Sequence, residues 1–176
     1  MGHHAMVRAD ADISSPPVRD VTAAQEILEV PPVEFVGFML SGEEYGVEVS
    51  EVREVIRHVE VLEVPRIPSY IKGIISLRGV ILPVFDIKER IGLPAEPVTP
   101  ATRIIIVSFR GGPYGLLVDS VTGVRPVKMD RVEPPPPGLK MGTGFLRGVV
   151  SYTVSGVPTS LRRLLLLLNL KEVLAQ

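Results

Sequence analysis

The chain of 176 residues has no cysteine and no tryptophan, and only four tyrosines and five phenylalanines. Without thiols it forms no disulfide, no thiolate nucleophile and no cysteine-ligated metal site, a composition that fits a reducing cytoplasm. The formal net charge is −1, so no bulk electrostatic pull toward nucleic acid or an anionic membrane operates. His58 is the single histidine beyond His3 and His4, and no second histidine stands at metal-ligand spacing from it. A surface or strand-edge position is the reading for His58. No phosphate-binding Gly-x-x-x-x-Gly-Lys loop, no Gly-x-Gly-x-x-Gly fingerprint and no Gly-x-Ser-x-Gly elbow occurs. The leucine run Leu164 to Leu168 is far short of the roughly 20 apolar residues that cross a bilayer, and reads as a buried strand. The sequence therefore predicts no catalytic residue, no metal, no cofactor and no direct membrane insertion.

What the chain does contain is itself, twice. Gly42, Tyr45, Gly46, Val49, Val52, Val55, Gly73, Leu77, Arg78 and Gly79 fall on Gly111, Tyr114, Gly115, Val118, Val121, Val124, Gly142, Leu146, Arg147 and Gly148, at one offset (111 − 42 = 69). Further on, Asp86-Ile87-Lys88-Glu89 returns as Asn169-Leu170-Lys171-Glu172 at another (169 − 86 = 83). The second copy thus carries 14 extra residues (83 − 69 = 14), which the sequence places between Val149 and Leu164. A unit built twice predicts two similar subdomains with a groove between them, and two copies are too few for a solenoid. The approximate copies are 34–101 and 102–174, inside a domain spanning 33–176. Residues 1–32 read as a tag remnant, Met1 to Met6, and a flexible arm with no signal peptide and one short helical option from Thr22 to Val30.

Within the first copy, Phe35 to Leu40 and Tyr45 to Val49 flank a turn cluster and predict a hairpin. Ser50 followed by Val52 and Val55 predicts an N-cap and one helical turn. Ser69 to Gly73 predicts another turn closed by glycine, before a long apolar stretch from Ile74 to Ile87 that Arg78-Gly79 punctuates. The second copy repeats this: Arg103 to Phe109, a turn at Arg110 to Pro113, Tyr114 to Val118, a helical turn from Asp119, then Val124 to Val132. The Pro134 to Pro137 run reads as a stiff connector or a polyproline ligand. About five short strands per copy, with edges needing protection, predict a mainly β fold of two small closed barrels.

Surfaces for partners remain as the main candidates for function. The carboxylates Glu43, Glu44, Glu48, Glu51 and Glu54 read as a solvated or partner-facing flank rather than an acid/base pair. The repeated Leu-Arg-Gly-Val reads either as a plain turn with a solvated arginine or as a turn presenting an interface anchor, with Gly79 and Gly148 as structural turn glycines. A small-barrel nucleic-acid-binding protein is the alternative, although basic residues do not cluster and stacking aromatics are sparse. A hydrolase using His58 with a carboxylate is a third reading.

The string Tyr70-Ile71-Lys72-Gly73-Ile74-Ile75-Ser76-Leu77-Arg78-Gly79-Val80-Ile81-Leu82-Pro83-Val84-Phe85-Asp86 resembles the signature of the CheW family, the bacterial chemotaxis coupling proteins. So do Glu43 to Val49, Tyr114 to Asp119, and Asn169 to Leu174. The resemblance implies two intertwined SH3-like five-stranded β-barrels around a shared core. It further implies a non-enzymatic adaptor, cytoplasmic and at receptor arrays on the inner face of the membrane. Such an adaptor joins the cytoplasmic tips of chemoreceptors to the regulatory domain of the histidine kinase CheA, and alternates with other CheW-like domains in rings. Carried onto this sequence, the receptor-binding residues are Val52, Arg78, Ile104, Val121 and Val124, and the kinase-binding residues are Val49, Glu54 and Gly73. Two departures stand out: Ser76 where the family commonly has Asn, and the longer segment from Val150 to Arg163.

Overall fold

The computed structural model describes residues 29–139, 141, 143–156 and 161–175. Ten strands are present among the described residues: β1 (Val33–Leu40), β2 (Glu43–Glu48), β3 (Val52–Arg57), β4 (Ile71–Leu77), β5 (Val80–Asp86), β6 (Arg103–Phe109), β7 (Gly112–Val118), β8 (Ser120–Val127), β9 (Leu146–Val154) and β10 (Leu161–Leu168). Two one-turn helices, α1 (Ile87–Ile91) and α2 (Leu170–Leu174), follow β5 and β10. The strands make two five-stranded sheets, ordered β3-β6-β7-β5-β4 and β8-β1-β2-β10-β9. Each sheet curls into an SH3-like barrel, called here the first and the second.

Each barrel contains a hairpin from the other copy. The β6–β7 hairpin completes the first barrel, with β7 parallel to β5 through Val84↔Gly115. The β1–β2 hairpin completes the second, with β2 parallel to β10 through Leu167↔Gly46. Three hairpin tips are two-residue turns with both φ angles positive: Ser41 and Gly42 at 50° and 84°, Arg78 and Gly79 at 48° and 80°, Arg110 and Gly111 at 47° and 79°. That geometry matches the twist of the flanking strands, and glycine second in each pair meets it without cost.

Pairing registers correct the placement of the insertion. Ile71 faces Phe85 and Gly73 faces Val84 across a bulge at Lys72; Leu146 faces Leu168 and Gly148 faces Leu167 across a bulge at Arg147. The structural equivalents are therefore Gly73 and Gly148, at an offset of 75 (148 − 73 = 75). Six extra residues (75 − 69 = 6) enter before β9, and eight more (83 − 75 = 8) lengthen the β9–β10 hairpin. The repeated Leu-Arg-Gly-Val is consequently out of structural register. Arg78-Gly79 is a turn, whereas Gly148 lies inside β9 and is no turn glycine. Arg147 corresponds to Lys72.

The helical readings around Val52, Gly73 and Asp119 are also corrected. A 3-10 turn covers only Val49–Glu51, after which β3 runs antiparallel to β6. Its β-branched residues take the sheet's period of two, so Val52 and Val55 face opposite ways. Gly73 sits within β4 rather than at a helix end. Asp119 leads directly into β8, and its carboxylate accepts from the Ser41 amide at 2.9 Å and from the buried Lys88 ammonium at 2.5 Å. The Thr22 to Val30 option lies almost wholly outside the described residues. The buried-strand reading of the leucine run holds for Leu165 to Leu168; Leu164 is exposed.

Apolar side chains form three clusters. Ile75, Leu82, Val84, Ile104 and Ile106 fill the first barrel, and Phe35, Val127, Val150, Leu165 and Leu167 fill the second. The largest cluster lies between the sheets and includes Phe38, Leu40, Tyr45, Phe85, Ile105, Leu116, Leu166 and both helices. Full burial of each large side chain contributes about 1.5–3 kcal/mol. Arg90 of α1 ties the helices together: it donates to the carbonyls of Glu172, Val173 and Ala175 at 3.1, 2.9 and 2.9 Å. Its guanidinium also stands 4.6 Å from the Tyr70 ring centroid and 5.2 Å from that of Phe145. Arg90→Met keeps the apolar stem and removes these bonds, so a loss of about 2–3 kcal/mol is expected. Urea denaturation, with hydrogen exchange over α2, measures it.

Candidate functional site

β3 and β4 are the edge strands of the first barrel. The chain beyond β3 reaches across to β4, where Leu62 and Ile74 exchange two backbone hydrogen bonds of 2.9 Å each. At the hairpin tip a second link spans the same edges, an ion pair between Arg78 and Glu54. The Arg78 side chain is 72% exposed, so the pair itself contributes little stability. Its effect is to aim the guanidinium. Around it, Arg53, Glu54, Leu77, Val80, Leu82, Ile106 and Pro113 line a shallow groove of about 280 Å³. Val80 and Ile81 stand out of the hairpin beside it, Ile81 with 67% of its surface in water. A fixed cation next to exposed aliphatic side chains suits an interface that combines apolar burial with one directional contact.

The second barrel repeats the closure with different chemistry. Glu133 and Val149 exchange backbone hydrogen bonds at 2.9 and 2.8 Å. A second link is Glu44 of β2, which is buried and joins the two edge strands β8 and β9. It accepts from Thr122 Oγ1 at 2.5 Å, from Arg125 Nε at 3.1 Å and from the Tyr152 hydroxyl. Burial pushes its pKa up, but the three donors and the nearby Arg125 charge outweigh that and hold it below the ordinary value.

The residues singled out from the sequence fall into distinct places. Val49, Val52 and Val121 are half-buried on the border of the shared core. Val52 and Val121 are equivalent by the repeat, pairing with Val107 and Phe38. Val124 pairs with Val36 but is 55% exposed. Arg78 and Glu54, assigned to different partners, meet in one ion pair. Ile104 is a correction: it is 0% exposed inside the first barrel, so its side chain reaches no partner and supports the groove floor from within. Gly73 contributes backbone only. His58 lies half-buried just beyond β3.

Near Val49 the charges are ordered. Arg147 Nη1 donates to Glu48 Oε1 at 2.6 Å, and this bond lowers the Glu48 pKa despite burial, with Ser50 adding a second donor. Glu51 is pushed up, first by burial and then by the Glu48 charge.

The CheW-like domain family matches this chain over residues 34–176. The chain belongs to the CheW-like family. It is 37% identical over 106 residues to the chemotaxis protein CheW of Bacillus subtilis, covering 60% of this chain and 68% of that one. With the chemotaxis protein CheW of Klebsiella aerogenes it shares 27% identity over 143 residues, 81% of each chain. The crystal structure of the scaffolding protein TtCheW from Thermoanaerobacter tengcongensis superposes with a TM-score of 0.71 at 34% identity, covering 82% of this chain and 94% of that one. The CheW-like match begins at the second residue of β1 and includes both exchanged hairpins, so it spans both barrels.

Two structural features of this CheW-like domain are not legible in the sequence. The sequence places Glu44 in a solvated or partner-facing acidic flank, because nothing local distinguishes Glu43, which is exposed, from its buried neighbour. The strand period gives no signal either, since Glu44, Tyr45, Gly46 and Val47 are buried in a row; the polar partners that settle Glu44 come from β8 and β9. An identical tetrapeptide makes Arg147 look equivalent to Arg78, and only the pairing register separates them.

Proposed function

We propose that this chain is a non-catalytic adaptor of chemotaxis signalling that holds the regulatory domain of CheA and the cytoplasmic tips of chemoreceptors together. Family membership over both barrels supports this reading most strongly. No helix among the described residues is long and apolar enough to cross a membrane, and in this proposal the adaptor works at arrays on the cytoplasmic face. The observation that carries the docking assignment is the Arg78 tip, braced by Glu54 and flanked by Val80 and Ile81. Receptor contacts are assigned to Arg78 with Val52, Val121 and Val124, and kinase contacts to Val49, Glu54 and the backbone at Gly73. Apolar burial supplies most of the affinity, and Arg78 fixes register. Control then comes from the geometry in which the two partners are held.

Charge reversal separates bracing from recognition. Arg78→Glu leaves the circular dichroism spectrum intact and weakens binding to receptor tips or the kinase domain by tenfold or more, about 1.4 kcal/mol. Glu54→Arg combined with Arg78→Glu rebuilds the internal pair with its polarity inverted. If the partner reads the Arg78 charge, binding stays lost in the double variant. Recovery in the double variant, measured by surface plasmon resonance against both partners separately, reduces Arg78 to an internal brace. Wild-type protein that binds neither partner at tens of micromolar removes the adaptor reading.

A further inference from the structure

We propose that the seam of the second barrel, between β8 and β9, is a docking groove for an extended acidic segment of a partner protein that carries a bulky apolar side chain. The site is separate from the Arg78 surface and does not depend on the adaptor reading. Between the two edge strands lies a groove of about 500 Å³, walled by Arg125, Lys128 and Arg131 on one side and Ser151 and Tyr152 on the other. Its floor is apolar, made by Val127, Val150 and Leu165, which belong to the interior of the second barrel. Pseudo-symmetry shows how unusual the opening is. Arg125, Val150, Tyr152 and Leu165 correspond, at the offsets of their strands, to Ile56, Ile75, Leu77 and Leu82 (125 − 69, 150 − 75, 152 − 75, 165 − 83). Those four pack together and fill the first barrel at this point. Here an arginine and a phenol stand in place of two aliphatic side chains, and the barrel opens.

The chemistry of the walls selects the occupant. Three cations and no carboxylate line the groove, which favours acidic side chains. Glu44 lies below and already accepts from Thr122, Arg125 and Tyr152. The apolar floor takes one large aliphatic or aromatic side chain, which a small anion lacks. Each wall includes a sheet edge: among the described residues β8 pairs only with β1, and β9 only with β10 apart from the bridge at Val149. An extended segment therefore finds backbone partners as well as pockets for alternate side chains. Single-stranded nucleic acid fits less well, because the aromatic ring of the groove, Tyr152, is covered by the Arg125 guanidinium at 4.8 Å and offers that face to no base.

The test uses the full chain and a fluorescein-labelled peptide in which glutamate alternates with leucine, followed by anisotropy. Saturable binding that weakens with salt is expected, with Arg131→Glu reducing affinity about tenfold. Arg131 is exposed and outside the Glu44 network, so this variant keeps the fold; Lys128→Glu is the second variant and should act in the same direction. Arg78→Glu should bind the peptide as the parent protein does. Unchanged affinity in both groove variants overturns the proposal. So does equal binding of a lysine-leucine peptide, or full competition by inorganic phosphate or single-stranded DNA at the acidic peptide's own concentration.

Discussion

Gly73→Ala is expected to destabilise the protein by about 3–5 kcal/mol, the largest effect of an alanine at any of the described glycines. A Cβ at this position would stand 2.0 Å from the carbonyl oxygen of Leu62, and the backbone is held at φ +144°. Both penalties fall where the first barrel closes, since Leu62 and Ile74 exchange their hydrogen bonds one residue away. The obstacle is backbone, so no rotamer change relieves it. Gly79→Ala is the control. Its φ is +80°, yet its Cβ would meet nothing within 4 Å, so only the conformational cost of about 1 kcal/mol applies. Urea denaturation should therefore show a large shift of midpoint for Gly73→Ala and a small one for Gly79→Ala. Equal shifts would mean that the closure at Leu62 yields without cost.

Glu44→Ala is expected to cost about 3 kcal/mol, because it leaves a partly buried guanidinium and two hydroxyls without their shared acceptor. Arg125 is 37% exposed, so water replaces part of what it loses, and the figure stays below that of a fully buried pair. Glu44→Gln retains one acceptor oxygen and should lose roughly half as much. The pH dependence has a definite sign. The folded-state pKa of Glu44 lies below its ordinary value of 4.5, so its contribution is fully present above the unfolded value. It is lost as pH falls through the lowered folded value. Acid titration of stability should show the parent protein losing more than Glu44→Gln does between neutrality and strongly acid pH. Parallel curves would show that Glu44 is not ionised in the folded protein.

Local chemistry made much of this architecture readable. The turn cluster at Ser41-Gly42 announces a hairpin and Arg78-Gly79 a turn, because only a few residue types enter positive φ, and the β-rich run Phe35 to Leu40 announces a strand. The repeat announced two barrels. Position 52 was misread as helical because one i, i+3 valine pair fits a helix as well as a strand, and the pairing with β6 decides between them. The docking surface was legible only in its outline. Arg78 could be named, but its pairing with Glu54 joins residues from opposite edges of a sheet, and no local pattern encodes that. Ile104 illustrates the converse: an aliphatic residue in a strand has two faces available, and burial inside the barrel is settled by its neighbours.

The exchange of hairpins between copies also sets a timetable for synthesis. β2 finds its parallel neighbour only in Leu165 to Leu167, more than a hundred residues after it emerges from the ribosome. The β1–β2 hairpin must wait, with one flank unsatisfied, for β10, the last of the described strands, to be translated. Such distant pairing slows folding relative to domains built from neighbours, and leaves the edge of β2 in need of protection until β10 arrives.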